Sequence, residues 1–483
     1  MGGRLFKEWT MNDQSRKVSL ISLLIALALG LSPVAVADPG SPGVWVEGTL
    51  VLAWNTPQPG TDDPGLLAAN LLRENGRLIN LDLTDRQLSN LGGPANANGR
   101  RVRLLTDAAE LAGDSTIVNP LSIVVVKAGS RQTEVASGSY PYISLMCKFP
   151  DVGLPSEGLS YFQGMYANSW PGLDHYWRRQ SYGMVNTVGS TAAGWFTMPH
   201  TQSYYVGLIS GSNYSPMLSA LYNDCTDAAS GSVNLSPFVG VNLMFNDTFG
   251  PYAWGGWGGV TWEPPWGWRN VAVIAHEMGH AFGLPHSNNA DGDSSPYDNP
   301  WDVMSDSWNY SESHPTYGTV GKHTISYHKD SLGWIPSARR AEVSAIGISS
   351  FNVDHLTLAG TGNLHMVKVP IPGSPRFYTI EVRDRVGYDG NLAGFAVILH
   401  EVDSNRREPA WLVDAQDLGN GADAGAMWLP GECFEDAANE IQICVETILT
   451  EGFRVKVIYG DAGILFADGF ETGNFSNWSG IGP

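Results

Sequence analysis

The sequence predicts an α+β fold in three parts, on three observations. Apolar residues at Val271, Ile274, Ala275, Met278, Ala281 and Phe282 recur at the three- and four-residue spacing of a helix packed on a core. Before and after that region the chain runs in short strand-like stretches separated by Gly, Asn and Pro. Removing an N-terminal export segment of 37 residues leaves 446 (483 minus 37), which suits about three domains of ~150 residues.

The export segment is residues 1–37. Arg16 and Lys17 precede an apolar run from Val18 to Leu31, and Ala35-Val36-Ala37 then offers small residues for cleavage before Asp38. The run is shorter than the ~20 residues a membrane span needs. A bacterial-type signal peptide and a secreted, extracellular product without stable membrane insertion are therefore expected. Asp38 is not a cysteine, so no lipid anchor is indicated.

Residues 38–137 read as a small N-terminal β domain. Its strand candidates are 48–54, 78–81 and 101–105. Such a module is expected to be a propeptide, the other reading being a permanent accessory domain. The stretch at 137–139 resembles a linker. Residues 138–342 form the central domain, with a strand from Tyr142 to Cys147, a helix from Leu173 to Gln180 and an apolar strand from Phe238 to Phe245. From 343 to 462 strands return at 365–370, 377–382, 395–400 and 453–459, which suggests a β-sandwich-like domain. The tail, 463–483, is rich in Gly, Asn and aromatics.

Composition narrows the function classes. With 16% charged and 43% hydrophobic residues the chain can bury a core. A formal net charge of −20 opposes binding to phosphate backbones, so no nucleic-acid partner is expected. Four cysteines suit an oxidising compartment. They allow three connectivities; the favoured one pairs Cys433 with Cys444 locally and leaves Cys147 to pair with Cys225.

The chemistry concentrates in residues 276–286, HEMGHAFGLPH. On a helix His276 and His280 lie one turn apart on one face, so two imidazoles can reach one ion at ~2.0–2.1 Å. Glu277 points beside them. Gly283 can adopt the left-handed conformation that ends the helix, and His286 returns as third ligand. Three neutral nitrogens leave a fourth position open for water, whose pKa a divalent ion lowers from about 15.7 towards ~7. Glu277 would take that water's proton as general base and pass it to the departing amine. A bare HExxH is often an ordinary helix segment, but the glycine and the third histidine are two further requirements and both are met.

These residues resemble the metzincin zinc metallopeptidases, whose pattern is HExxHxxGxxH followed by a methionine turn. Asp302-Val303-Met304-Ser305 supplies the candidate turn, with Met304 as an apolar floor beneath the metal. KFPD at 148–151, SYG at 181–183 and YHKDSLGW at 327–334 look most like the bacterial secreted, gametolysin-like and immune-inhibitor-A-like branch, and EVRDRVGYD at 381–389 extends the likeness loosely. The resemblance implies a metzincin-type catalytic domain: a twisted mixed sheet with an active-site helix, in which the strand at 238–245 would edge the cleft and pair with extended substrate. Some branches carry a metal-reaching tyrosine two residues past the methionine. This chain has Asp306 there, and Tyr310 is too displaced to serve. Some proforms place a cysteine on the metal, but LMCKFPD around Cys147 lacks the flanking pattern of that switch.

Three further features have two readings each. Trp254, Trp257, Trp262, Trp266 and Trp268 could rim the cleft or stack on sugars, or could pack the loop onto the domain. Asn288, Asn289, Asp291, Asp293, Asp298, Asn299 and Asp302 could hold calcium (Ca2+), although the spacing of a helix–loop–helix calcium site is absent and a solvated turn is the default. His323 and His328 could line the cleft or pack the interior. The expected protein is a monomeric, secreted, zinc-dependent (Zn2+) endopeptidase acting on protein or peptide substrates, with Glu277 as catalytic base and His276, His280 and His286 as metal ligands. Cell-wall peptides are a variant of its substrate. The alternative is a secreted carbohydrate- or surface-binding protein with a non-catalytic zinc site.

Overall fold

A single ten-stranded sheet is built from strands between Gly43 and Glu263. The computed structural model describes residues 43–59, 61, 65–111, 117–126, 136–256, 258–290, 297–415 and 421–460. The expected signal peptide and tail, with Trp257, Asp291 and Asp293, lie outside the described residues.

The N-terminal region contributes β1 (Gly43–Pro57), β2 (Leu67–Leu72), β3 (Leu78–Leu81), β4 (Arg101–Asp107) and β5 (Ser122–Val125). The central region contributes β6 (Tyr142–Lys148), β7 (Thr191–Thr197), β8 (Gly240–Phe245), β9 (Tyr252–Gly256) and β10 (Val260–Glu263). The order is β3-β2-β1-β9-β10-β8-β6-β7, with β4 on β1 and β5 on β4. Strands β10, β8, β6 and β7 are mutually parallel, whereas β9 runs antiparallel to both β10 and β1.

Two expectations change here. The run at 238–245 does not edge a cleft: β8 is flanked on both sides by parallel strands and all six of its residues are buried. An unbroken apolar run marks a strand covered on both faces, and an edge strand facing a solvated cleft would alternate. The strand next to the helix that carries His276 and His280 is β9, and it carries β1. The N-terminal region thus continues the central sheet, in the register Ala53↔Gly256 to Pro57↔Tyr252.

Helices α1 (Leu173–Gln180), α2 (Ser215–Ala229) and α3 (Val271–Ala281) pack on this sheet, whereas α4 (Ser326–Ser331) packs against the strand Phe377–Arg383 further along the chain. Cys147 on β6 and Cys225 on α2 form one disulfide, and Cys433–Cys444 the other. Cys147 is therefore no metal ligand. Of the tryptophans, Trp254, Trp262 and Trp268 are fully buried, with the indole N–H of Trp262 donating to Leu218 O and that of Trp268 to Phe245 O. Those three rings pack the domain and do not form a stacking surface.

The C-terminal strands build two sheets around one core. The first includes β11 (Asn288–Asn289), β12 (Arg340–Glu342), β14 (Met366–Pro370), β15 (Phe377–Arg383), β16 (Ala396–Val402) and β17 (Ala410–Leu412). The second comprises β13 (Gly347–Asp354), β18 (Cys433–Asp436), β19 (Ile441–Ile448) and β20 (Gly452–Tyr459). Val353, Val367, Ile380, Leu399, Ile443 and Val455 meet between them. The first sheet also takes in β11, which lies just past His286 and pairs with Trp411 and Leu412. Among the described residues no helix is long and apolar enough to cross a membrane.

Candidate metal centre

Helix α3 carries the first two histidines and is buried along all eleven residues. Two glycines allow that depth. A Cβ at Gly255 on β9 would collide with the backbone oxygen of Glu277, and one at Gly279 would collide with the sulfur of Met304. The helix stops at Gly283, whose φ of 94° lies in the left-handed region that glycine tolerates, and the chain returns His286 to the same point.

The three Nε2 atoms converge: His276 to His280 is 3.0 Å, His280 to His286 3.0 Å and His276 to His286 3.1 Å. Tetrahedral zinc with nitrogens at ~2.0–2.1 Å would hold them about 3.3 Å apart, so the triad fits a metal with a small adjustment. Nδ1 of His276 donates to Val303 O at 2.6 Å and Nδ1 of His280 to Leu284 O at 2.7 Å. A carbonyl can only accept, so each of these rings keeps its Nε2 lone pair for the ion. Burial lowers the pKa of His276 to about 4 and holds His280 and His286 well below the usual imidazole range, the neutral form that ligates. Among the described residues this triad is the group of His, Cys, Asp or Glu side chains placed to hold a metal ion.

Glu277 is fully buried, and neither carboxylate oxygen has a hydrogen-bond partner. Burial, followed by the charge of Glu263, pushes its carboxyl well above the usual range; the Thr56 hydroxyl faces it and acts in the opposite direction without completing a hydrogen bond. Glu263 on β10 is likewise buried and raised to about 8, chiefly by burial. Sequence reading missed Glu263, although an acid ending the apolar strand VTWE was a visible anomaly.

Asp302, read from sequence within both a candidate calcium loop and a candidate methionine turn, ties the Met304 segment to Ser287, which follows His286. Its Oδ1 accepts from the Met304 amide at 3.0 Å and the Thr324 hydroxyl at 2.7 Å, and its Oδ2 from the Ser287 hydroxyl at 2.7 Å. His328 Nδ1 lies 3.0 Å from Oδ2. Burial works to raise this carboxyl, but His328, the Met304 amide and Ser287 together hold it below the usual carboxylate range. Asn299 is engaged with Ser287, Ser305 and His400, and Asp298 accepts from the Asn289 amide. His323 and His328 are buried in packing contacts: His323 Nδ1 accepts from Lys329 Nζ at 3.0 Å.

Met304 is buried beneath α3, and the adjacent Val303 carbonyl orients His276. Gly279→Ala should therefore push Met304 aside, displace that carbonyl and weaken metal binding by about 10–100-fold. Competition with a chromophoric chelator measures this, and adding Met304→Ala should restore part of the loss. Unchanged affinity in Gly279→Ala would show that the floor does not govern the ligands.

The chain matches no protein-family model and no curated protein.

Proposed function

We propose that the chain is a secreted zinc-dependent endopeptidase of metzincin type, made as a proform. One observation carries the reading: three Nε2 atoms meet at a point beside a buried glutamate that ligates nothing. Closed structural zinc sites usually fill the fourth position with a protein ligand, commonly cysteine, and both cysteine pairs here are disulfides. Among the strands of the central region β9 alone runs antiparallel to the rest, beside helix α3, and this and Met304 beneath that helix also support it. Two disulfides suit an exported protein.

Zinc held by His276, His280 and His286 would polarise a substrate carbonyl and lower the pKa of water beside it. Glu277, one residue along from His276, would accept the proton and deliver it to the leaving amine. The carbonyls of Val303 and Leu284 keep two of the imidazoles aimed at the ion throughout.

The binding-protein alternative loses most of its stacking surface with the burial of Trp254, Trp262 and Trp268. The test uses zinc-loaded protein from which the N-terminal region has been cut. It should digest casein, lose all activity to a chelator and regain it with stoichiometric zinc. Stoichiometric zinc without any peptide hydrolysis would overturn the proposal.

A further inference from the structure

Resting on that reading of the site, we infer that the peptidase is kept latent by strand addition: residues Ala53–Pro57 of β1 occupy the edge of β9 where an extended peptide would lie, and they do so without ligating the metal. The occupant is identified by its register. Five consecutive residues pair antiparallel with β9, from Ala53↔Gly256 to Pro57↔Tyr252. Main-chain pairing of this kind accepts almost any extended segment, so a chain's own strand can hold the place of a substrate.

Side chains alternate along β1, which turns Trp54 and Thr56 to the same face. Trp54 is unexposed and stacks on His280, with ring centroids 5.1 Å apart and planes 14° from parallel. Thr56, also buried, faces Glu277. Tyr297, whose ring meets that of His286 at 4.9 Å, donates its hydroxyl to the Asn55 carbonyl and holds the strand from the far side. All three histidines and Glu277 are sealed as a result.

Nothing in β1 replaces the water ligand. The strand reads GVWVEGTLVLAWNTP, with no histidine or cysteine. Its one acid, Glu47, is directed to Arg101 at 3.5 Å and Arg103 at 3.8 Å. The Asn55 side-chain oxygen accepts from the Leu66 amide. Latency therefore comes from exclusion: the metal is carried in the covered form, and activation is displacement of the strand. The N-terminal region has a core of its own to leave with, formed by Val46, Leu50, Leu52, Leu71, Val102 and Leu104.

The test separates access from catalysis. The chain from Asp38 is loaded with cobalt(II), and its visible spectrum is followed as a tripeptide hydroxamate, which ligates the metal directly, is added. The intact chain should retain one cobalt per molecule and bind the hydroxamate at least about 100-fold more weakly than a chain cut by a sequence-specific protease between Val126 and Ala136 and freed of the N-terminal piece. Trp54→Ala in the uncut chain should recover about 10-fold of that difference, which keeps the test sound if the cut chain does not stay folded. Equal binding by the intact and cut chains would overturn the inference, as would loss of cobalt from the intact chain, or no gain of binding in either altered form. A cut chain that binds the hydroxamate but hydrolyses no peptide would instead overturn the proposed function and leave the latency mechanism standing.

Discussion

Glu277→Gln should leave the metal in place and reduce peptide hydrolysis by the uncovered enzyme by about 10²–10⁴-fold, the usual contribution of a positioned general base. The substitution keeps the shape of the side chain, and the carboxylate is not among the converging ligand atoms, so the triad has no reason to disperse. What disappears is the site that takes the proton. In the covered form burial, followed by the charge of Glu263, pushes the Glu277 carboxyl above its ordinary range. Displacement of β1 returns solvent to the carboxylate, and a divalent ion beside it acts in the same direction by favouring the charged form. Measuring kcat/KM together with metal content decides the point: near-full activity in Glu277→Gln removes it from the mechanism, and loss of metal would recast it as a structural support for the triad.

How much of this was legible in the sequence depended on whether the signal was local. Helix α3, the turn at Gly283 and the return of His286 are short-range consequences of spacing and of one glycine, and the structure brings the three histidines together where they could hold a metal ion. Both disulfides followed from loop length and elimination. Most strand positions were readable too, because apolar runs between turn residues are local. Strand partners were not: that β8 would lie inside the sheet depends on residues about a hundred positions apart, and that β1 would join β9 on residues about two hundred apart. The partners of Asp302 were hidden for a related reason. A cluster of oxygen-bearing side chains looks alike whether its partners are a cation or the hydroxyls and amides that the fold later supplies. The likeness at 381–389 acquires a meaning only in three dimensions, where Arg383 reaches the Trp301 carbonyl while Asp389 and Glu381 accept from the amides of His323 and Ser326.

That convergence sets the second large effect: Arg383→Ala should cost about 3–5 kcal/mol of stability, because it leaves buried carboxylates without their counter-charge. Arg383 is wholly buried on β15. Its guanidinium grips Asp389 through Nε at 3.0 Å and Nη2 at 2.9 Å, and Glu381 lies 3.4 Å from Nη1. Nη1 also donates to the Trp301 carbonyl and Nη2 to that of His323 at 3.2 Å, while Asp389 accepts from the His323 amide at 2.8 Å and Glu381 from the Ser326 amide at 2.6 Å. Trp301 immediately precedes Asp302, and Ser326 opens α4, which carries His328. The arginine therefore clamps both chain segments that meet at Asp302, one residue before the carbonyl that orients His276. Losing it should lower the denaturation midpoint and weaken metal binding together, whereas a residue that only stabilised the C-terminal sheets would lower the midpoint alone. Replacing the charges jointly, as Arg383→Met with Asp389→Leu and Glu381→Gln, should recover much of the stability, since apolar contacts can substitute for a buried ion pair. It should not recover the metal affinity, because the carbonyls of Trp301 and His323 would still lack their donor. Recovery of both would mean that packing alone places the methionine turn.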